Sequence, residues 1–417
     1  MGQVTAFKFI HAADLHLGSP FHGLALKDER VAHRFAEASR AAFSGLVTRA
    51  IAEEVAFVVI AGDVYDGDWR DNTIGLYFNR ELARLERAGI EIFLLRGNHD
   101  AESVITRSIT LPASVRQFST AAPVTFRIEA LQVALHGQGF AHRAVTDNLV
   151  NTYPGRIAGW FNIGVLHTAL TGRPPHDNYA PCSPGHLRAR GYDYWALGHV
   201  HEYETVGTRP HIVFPGNLQG RNIREKGEKG AVLVSVADGE VTNVERVIVD
   251  RARWDELVLD VRGFSSEAAI LKAIEEKLRS VGLVAAERLV ALRVVLTGES
   301  DVHRRLLAHR DQLTDEVQAA CHRVHGDIWL EKLEIRTHAP AKRRSEAPAM
   351  LAVDLSALLG AVADGNELKA KAGQLLAEIQ VRIPGTIAED EQKLADELEQ
   401  LVAEARELLL ARATDEA

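Results

Sequence analysis

The sequence is poor in cysteine and has no long apolar run. Cys182 and Cys321 are the only cysteines among 417 residues, so neither a disulfide framework nor a zinc site built from several cysteines is available. No uninterrupted apolar stretch is long enough to span a bilayer, and the first residues lack a charged segment followed by an apolar one. We therefore expect a cytoplasmic protein that does not insert into a membrane.

The sequence also contains no phosphate-binding loop of the form G-x-x-x-x-G-K-S/T, so any dependence on ATP has to come from a second chain. The net charge of −9 argues at first against a nucleic-acid partner, because phosphate backbones attract basic surfaces. Residues 389–417, however, hold ten acidic and three basic residues, a net charge of −7, which leaves −2 for the preceding 388 residues. The charge therefore permits a nucleic-acid substrate without indicating one.

Residues 1–250 alternate short β-like segments with amphipathic helical stretches, a pattern typical of an α/β layered fold. Helices are predicted over residues 28–54 and 72–88, where apolar residues recur at helical spacing. The predicted strands are residues 6–12, 56–62, 91–97, 131–137, 161–167, 193–199, 211–216 and 230–236.

Two further segments follow this first domain. Residues 251–338 read as β-α-β-α-β, with helices near 265–281 and 301–323, which predicts a small α+β domain. Residues 339–417 begin as a linker rich in Ala, Pro and charge and continue as a helical tail. The apolar seam of the tail covers only about two heptads, so a helix packed on its own chain and a helix docked to a partner are equal alternatives.

Polar residues follow five of the predicted strands at the point where each strand ends. They are Asp14 with His16, Asp63 with Asp66, Asn98 with His99, His167, and His199 with His201. In an open α/β sheet functional groups gather at the carboxyl ends of the strands, so we expect these side chains to lie close together. Residues i and i+2 of an extended chain point the same way, which lets Asp14 and His16 act on one ion.

These side chains offer imidazole, carboxylate and amide donors without thiolate. That donor set suits first-row divalent ions, with manganese expected first and iron or zinc as alternatives. A single strand-end histidine is more often a structural residue than a ligand. Five such groups in order, each after an apolar strand, favour a metal site with donors enough for two ions.

The ordered motifs DLH, GDVYD, GNHD, the isolated His167 and GHVH resemble those of the calcineurin-like metallophosphoesterases over residues 7–201. Within that superfamily, IHAADLHLGSPF, LRGNHDAES, LGHVHEY and PGNLQGR are most similar to the SbcD and YhaO group of DNA repair exonucleases. The resemblance implies an α-β-β-α sandwich for residues 1–250, a small α+β capping domain for 251–338, and a linker with a helical tail for 339–417.

The resemblance also implies a site for two divalent metal ions. One ion would be held by Asp14, His16, Asp63 and His201, and the other by Asp63, Asn98, His167 and His199. Two cations that share Asp63 can activate a bridging water as hydroxide for in-line attack on phosphorus. His99 is then expected to be the general acid that protonates the leaving oxygen, and Asp66 is expected to orient it.

One position departs from part of the resembled group. The archaeal and eukaryotic nucleases carry a second histidine where this chain has Asp66, whereas the aspartate agrees with bacterial members and with the wider superfamily. Metal binding is unaffected by this difference, but the handling of a DNA end cannot be carried over from those relatives. Arg221, in the PGNLQGR segment, is equally expected to bind a substrate phosphate or to be simply solvated.

The function expected from these observations is a two-metal-dependent exonuclease or phosphodiesterase that acts on DNA ends in DNA repair. Two alternatives stay open: a phosphoesterase for a small nucleotide or other phosphoester, and a scaffold subunit whose metal site serves stability. In the resembled group the nuclease works with an SMC-like coiled-coil ATPase. The resemblance therefore implies such a partner, for which the C-terminal region is one candidate binding site, and it leaves a homodimer open.

Overall fold

The computed structural model describes residues 6–19, 29–66, 72–102, 111–170 and 179–340, and beyond these only residues 371, 374, 405 and 409. The linker and tail predicted beyond residue 340 therefore lie outside the described residues, apart from these four positions, which are helical. The chain forms two compact units. The first is Met1–Asp255 with Glu287–Ala291, and the second is Glu256–Ala286 with Leu292–Ala417.

The first sheet carries the amino-terminal part of the site. Its strands are β1 (Phe7–Ala12), β2 (Phe57–Ala61), β3 (Glu91–Leu95), β4 (Val115–Gln117), β11 (Gly230–Ala237) and β12 (Glu240–Ile248), in the order β12-β11-β1-β2-β3-β4. Strands β1 to β4 run parallel, and β11 is antiparallel to both of its neighbours. Ala12 pairs with Ile60, so β1 and β2 end at the same edge of the sheet.

The second sheet carries the carboxyl-terminal part of the site. Its strands are β5 (Val124–Ile128), β6 (Val133–Gly137), β7 (Phe161–His167), β8 (Tyr194–Gly198), β9 (Glu204–Thr208) and β10 (His211–Phe214), in the order β5-β6-β7-β8-β10-β9. The four central strands run parallel, and the edge strands β5 and β9 are antiparallel to their neighbours. His167 pairs with Gly198, so β7 and β8 end together.

The two sheets share an apolar layer. Phe9 stacks on Phe57 with ring centroids 4.9 Å apart, and its centroid lies 5.3 Å from that of Tyr194 in the other sheet. All three side chains are fully buried, and burial of one such ring stabilises the fold by about 1.5–3 kcal/mol. This layer holds the strand ends of both sheets at one edge.

Helices cover the outer faces of both sheets. Among the described residues of the first unit, the α-helices are α1 (Glu29–Ala52), α2 (Asn72–Arg87), α3 (Asn98–Glu102) and α4 (Pro184–Ala189). Phe43 of α1 and Phe78 of α2 are buried in the core on the outer face of the first sheet, and Leu187 of α4 packs in a cluster with Trp195 of the second sheet. The predicted α-β-β-α sandwich is therefore confirmed, as are the two predicted helices now assigned as α1 and α2.

The segment from Ala252 to His338 has its own small sheet. Its elements are β13 (Ala252–Asp260), α5 (Glu267–Ala285), β14 (Leu289–Glu299), α6 (His303–Ala308), α7 (Arg310–Val324) and β15 (Ile328–His338), with the strands ordered β13-β14-β15. The predicted β-α-β-α-β order is confirmed, but the second helix is divided into α6 and α7 at His309. None of the helices in the described residues is both long and apolar enough to cross a membrane.

Candidate metal centre

The loops that leave β1 and β2 run side by side. The backbone N–H of Asp14 donates to the carbonyl of Gly62 at 3.0 Å, and that of His16 donates to the carbonyl of Asp63 at 3.0 Å. Asp14, His16 and Asp63 have φ angles of 50°, 42° and 53°, in the left-handed region that residues other than glycine rarely adopt. The surrounding hydrogen bonds hold this strained backbone, and strain of this kind clusters at functional sites.

Two glycines let the ends of the two sheets approach each other. A Cβ on Gly198, at the end of β8, would lie 2.0 Å from the carbonyl oxygen of Ala61 in β2. A Cβ on Gly62 would lie 2.4 Å from Nδ1 of His167. His167 Nδ1 in turn lies 3.0 Å from the Ala61 carbonyl, so the ring of a residue in the second sheet is anchored to the first sheet.

Asp14, His16 and His201 form the first group of side chains that could hold a cation, with ligand atoms within 4.8 Å of one another. The Nε2 atoms of His16 and His201 are 3.1 Å apart. Asp14 is fully buried and accepts hydrogen bonds from the backbone N–H of His199 at 2.9 and 3.1 Å. Burial raises the pKa of the Asp14 carboxyl, and the nearby charge of Asp63 adds to the rise.

Asp63, His167 and His199 form a second such group, and ligand atoms of Asp63, His16 and His99 also lie within 4.8 Å of one another. His167 Nε2 lies 2.9 Å from Oδ1 of Asn98 and 3.3 Å from Oδ2 of Asp63, so two oxygens converge on one ring nitrogen. Burial disfavours the charged ring, but the Asp63 carboxylate outweighs that effect and raises the pKa of His167 to about 9. A histidine must lose its proton at the nitrogen that binds a metal ion, so a cation at Nε2 of His167 would take the place of a proton there.

Asp63 lies between the two groups. Its Oδ1 accepts a hydrogen bond from the backbone N–H of His99 at 3.0 Å, while its Oδ2 faces His167. Burial opposes its negative charge, yet the positive charge of His167 holds the pKa of Asp63 well below its ordinary value. Asp63 is therefore an ionised carboxylate that faces both groups, as a bridging ligand requires.

The residues present fit divalent cations. The donors in the two groups and Asn98 are imidazole nitrogens and carboxylate or amide oxygens, the set preferred by manganese, iron and zinc. Within the described part of the chain, Nδ1 of His16 is buried without a hydrogen bond, although it lies 3.9 Å from Oδ2 of Asp66, and Nε2 of the same ring faces His201. Burial of a polar ring is costly when its polar atoms lack partners, and a cation shared with His201 would offset that cost.

His99 and Asp66 are in contact beside these groups. Nδ1 of His99 lies 3.1 Å from Oδ1 of Asp66, and one third of the His99 side chain is exposed to solvent (33%). Burial would lower the pKa of His99, but the hydrogen bond to Asp66 raises it. Burial also opposes ionisation of Asp66, whereas the hydrogen bond from His99 holds the pKa of Asp66 far below its ordinary value. The two side chains therefore form an imidazole–carboxylate pair that solvent can reach, in which the carboxylate favours the protonated ring.

Arg221 lies next to this pair. Its Nη1 donates to Oδ2 of Asp66 at 3.0 Å, and its Nη2 donates to Oε1 of Glu225 at 2.8 Å. Only 17% of its side chain is exposed. Contact between Arg221 and a substrate phosphate stays a prediction, because in this structure the guanidinium donates its hydrogen bonds to the carboxylates of Asp66 and Glu225.

Two residues that support the site were not anticipated. Glu225 accepts from Nδ1 of His201 at 2.9 Å, and it is the first acidic residue after β10. Asp100 accepts from the backbone N–H groups of Val64 and Gly97, at 3.0 and 3.1 Å, and so joins the loops after β2 and β3. Burial and the charge of Asp63 raise the pKa of Asp100 to about 6. Asp100 ends the GNHD motif, which was the only sequence signal for its role.

Comparison with known proteins adds to this geometry. Residues 7–203 match the model of the family described as calcineurin-like phosphoesterase, and residues 254–338 match the one described as the middle domain of metallophosphoesterase YhaO. Metallophosphoesterase YhaO of Bacillus subtilis is 34% identical over 295 residues, which cover 69% of this chain and 72% of that protein.

Two more distant relatives have names that refer to nucleic acids. One component of the nuclease SbcCD of Escherichia coli is 24% identical over 281 residues, covering 58% of this chain and 68% of that protein. The DNA double-strand break repair protein Mre11 of Sulfurisphaera tokodaii is 22% identical over 343 residues, covering 78% of this chain and 82% of that protein.

Proposed function

This chain belongs to the calcineurin-like phosphoesterase family of metal-dependent phosphoesterases. On that premise we propose that it is a two-metal-dependent phosphodiesterase that hydrolyses phosphodiester bonds at DNA ends in DNA repair. The observation that carries the proposal is the convergence, at one edge of two sheets, of the two candidate ligand groups and the His99–Asp66 pair. A metal site that served stability alone would need no partly exposed imidazole beside it.

We assign the first ion to Asp14, His16, Asp63 and His201, and the second to Asp63, Asn98, His167 and His199. When bound, two divalent cations supply a nucleophile from water at neutral pH and neutralise charge that develops on the phosphoryl oxygens. Manganese is the cation we propose first, because the donors are nitrogen and oxygen without sulfur.

The protein's own part in the reaction is proton transfer by His99. Asp66 holds Nδ1 of His99 at 3.1 Å, which leaves Nε2 as the ring nitrogen that faces a substrate. The same carboxylate favours the protonated ring, so His99 carries a proton to give to the leaving oxygen. The proton leaves from Nε2, and Asp66 keeps the ring in one orientation as it does so.

DNA as the substrate is supported by the names of the two distant relatives and by the sequence motifs shared with the SbcD group. We extend the proposal to an SMC-like ATPase partner, since the relative from Escherichia coli is one component of a nuclease with more than one chain, and we place the contact in the C-terminal region. The cytoplasmic location, a homodimer, and the domain limits 1–250, 251–338 and 339–417 stay predictions.

The proposal is tested by degradation of linear duplex DNA in Mn²⁺ and in chelator. We expect wild type to degrade the DNA only with Mn²⁺, and His99→Ala to be slower by a factor of about 10²–10⁴, the usual contribution of a general acid. His33→Ala is the matched control, because that side chain is 73% exposed on α1, where it pairs with Glu37. It should match wild type.

Hydrolysis of bis(p-nitrophenyl) phosphate by wild type, measured in parallel, separates this proposal from the small-substrate alternative. Cleavage of the small ester without any degradation of duplex or single-stranded DNA would favour that alternative. Equal, metal-independent rates for wild type and His99→Ala on both substrates would contradict the proposal that the protein is a metal-dependent phosphodiesterase.

A further inference from the structure

A row of hydrogen-bonded side chains connects the two parts of the site. It runs from His201 to Glu225, from Glu225 to Arg221, from Arg221 to Asp66, and from Asp66 to His99. We call its three central residues, Glu225, Arg221 and Asp66, the arginine bridge. His201 belongs to the first proposed ligand set and His99 is the proposed acid, so the bridge joins cation binding to proton transfer.

Glu225 uses both carboxylate oxygens at the His201 end. Its Oε1 accepts from His201 Nδ1 at 2.9 Å and from Arg221 Nη2 at 2.8 Å. Its Oε2 accepts from Nδ2 of Asn217 and from the backbone N–H of Arg221, both at 2.8 Å. Burial would raise the pKa of this carboxyl, but these donors hold it well below its ordinary value. Glu225 is thus a fixed, ionised acceptor.

This acceptor determines which nitrogen of His201 can bind a cation. Because Nδ1 donates its proton to Glu225, only Nε2 has a lone pair to offer, and Nε2 is the atom 3.1 Å from Nε2 of His16. Arg221 Nη2 also lies 3.2 Å from Nδ1 of His201, but two donors cannot bond to each other, so that approach is only a contact. Hydrogen-bond partners of this kind commonly raise the metal affinity of a ligand.

The other end of the bridge fixes Asp66. Its Oδ2 accepts from Arg221 Nη1 at 3.0 Å and from the hydroxyl of Ser19 at 2.8 Å, so Oδ1 is the oxygen left for His99. A guanidinium can serve both carboxylates because its donors lie in one rigid plane and point in different directions. A lysine at this position has a single ammonium, which can hold either carboxylate in place but not both in the same geometry.

From this geometry we propose that Arg221 and Glu225 are positioning residues, which orient His201 for cation binding and, through Asp66, orient His99 for proton transfer. The part that concerns His99 rests on the proposed function, whereas the part that concerns His201 requires only that the site binds a cation. Neither residue is proposed to touch the reacting atoms.

Calorimetric titration of the full chain with Mn²⁺ tests the His201 end. Glu225→Gln keeps the size of the side chain and removes the charged acceptor, so we expect Mn²⁺ affinity to fall by about 10–100-fold. Arg221→Lys should lower the affinity by a smaller factor, because Glu225 still accepts from His201. The matched controls are Glu91→Gln and Arg116→Lys, which alter a partly exposed Arg–Glu pair of the same unit with an Nε–Oε2 distance of 2.9 Å, and both should bind Mn²⁺ as wild type does.

A comparison of leaving groups tests the His99 end. A p-nitrophenolate leaves without needing a proton, whereas the alkoxide released from a dinucleotide needs one. Arg221→Lys should therefore lower kcat for the dinucleotide by about tenfold more than kcat for bis(p-nitrophenyl) phosphate, since a displaced acid affects only the first. A purely structural role would lower both values by the same factor.

Wild-type Mn²⁺ affinity in folded Glu225→Gln, or equal losses on both substrates in Arg221→Lys, overturns the proposal. Circular dichroism identifies any variant that does not fold. If one of Glu225→Gln and Arg221→Lys does not fold, the result for the other variant decides the proposal. If neither variant folds while both controls do, the bridge is a structural element and the proposal fails. If wild type cleaves neither phosphodiester, the proposed function fails, but the Mn²⁺ titration still decides the role of Glu225 at His201.

Discussion

His11 in β1 is a histidine that the site does not use, although it lies only three residues before Asp14. Its Nδ1 lies 3.1 Å from the hydroxyl of Tyr194, and its Nε2 lies 3.1 Å from the carbonyl oxygen of Leu197. Burial lowers its pKa to about 3, even though the Leu197 carbonyl favours the charged ring. His11 is therefore expected to be neutral in the folded protein above about pH 3.

This state gives a pH-dependent stability. Between pH 6.5 and about 3 the unfolded chain binds a proton at His11 that the folded chain does not. Protonation of His11 therefore lowers the free energy of unfolding as the pH falls through this range, and above pH 6.5 this loss is absent. The loss approaches about 1.4 kcal/mol per pH unit. We expect urea unfolding of metal-free His11→Gln to depend less on pH over this range than that of wild type. His33→Gln is the exposed control, and a pH dependence in His11→Gln equal to that of wild type would refute this account.

At the scale of single residues, the side chains that gather at the strand ends were more predictable from the sequence than the side chains that support them. Asp14 and Asp63 stand two residues after β1 and β2, and His167 is the last residue of β7; the carboxyl ends of such strands meet at a common edge, which does not depend on the path of the loops. Glu225 meets His201 across 24 residues of chain, through a loop whose path depends on many tertiary contacts. The spacing of residues in the sequence does not indicate that path, so the contact between Glu225 and His201 was not predictable.

At the scale of elements, the end of β8 approaches the backbone of the first sheet closely. A Cβ on Gly198 would lie 2.0 Å from the Ala61 carbonyl oxygen and 2.9 Å from Nδ1 of His167. Both atoms are fixed, one in the backbone of β2 and the other in a fully buried ring. An added methyl group therefore has to separate the strand ends.

We expect Gly198→Ala to lower the free energy of unfolding by about 1–3 kcal/mol, the usual cost of an overpacked core. It should also weaken Mn²⁺ binding, because His167 and His199 move with the end of the strand. Thermal unfolding and calorimetric titration measure the two effects. Gly155→Ala is the control, since a Cβ there has nothing within 4 Å. A folded Gly198→Ala with the stability and Mn²⁺ affinity of the control would show that the strand ends tolerate separation.

The strands predicted from the sequence were those in the interior of the sheets. All eight are confirmed in the described residues, and the four that were not predicted in the first unit are β4, β5, β9 and β12. Each of these four is an edge strand of its sheet. An edge strand packs fewer of its side chains in the core, so it lacks the apolar run that marks a strand in a sequence; β12, for example, has Val247 as its only buried residue.

At the scale of the whole molecule, the site is assembled from one unit. Every residue assigned to the metal ions or to proton transfer lies between Asp14 and His201, and the bridge ends at Glu225, all within the first unit. The tail predicted to bind an ATPase begins more than a hundred residues later. Catalysis and partner binding are therefore expected to be separable.

A chain that ends at residue 340 tests this separation. We expect it to keep Mn²⁺-dependent hydrolysis of bis(p-nitrophenyl) phosphate at the full-chain rate, because every residue assigned to the site lies in the first unit. Co-expression with the candidate coiled-coil ATPase should give co-purification with the full chain only. Full recovery of the ATPase by the shortened chain would place the contact elsewhere, and loss of hydrolysis would show that the tail supports the site.

The contact between His16 and His201 also has a topological consequence. The two rings are 185 positions apart in the chain, and a cation held by both would close a loop of that length. The entropy lost on closing a loop grows with its length, so a link between such distant residues restricts the unfolded chain more than a link between neighbours does. A pair of ions at this edge would therefore act on the chain as a reversible crosslink, and withdrawal of the ions by a chelator would release it.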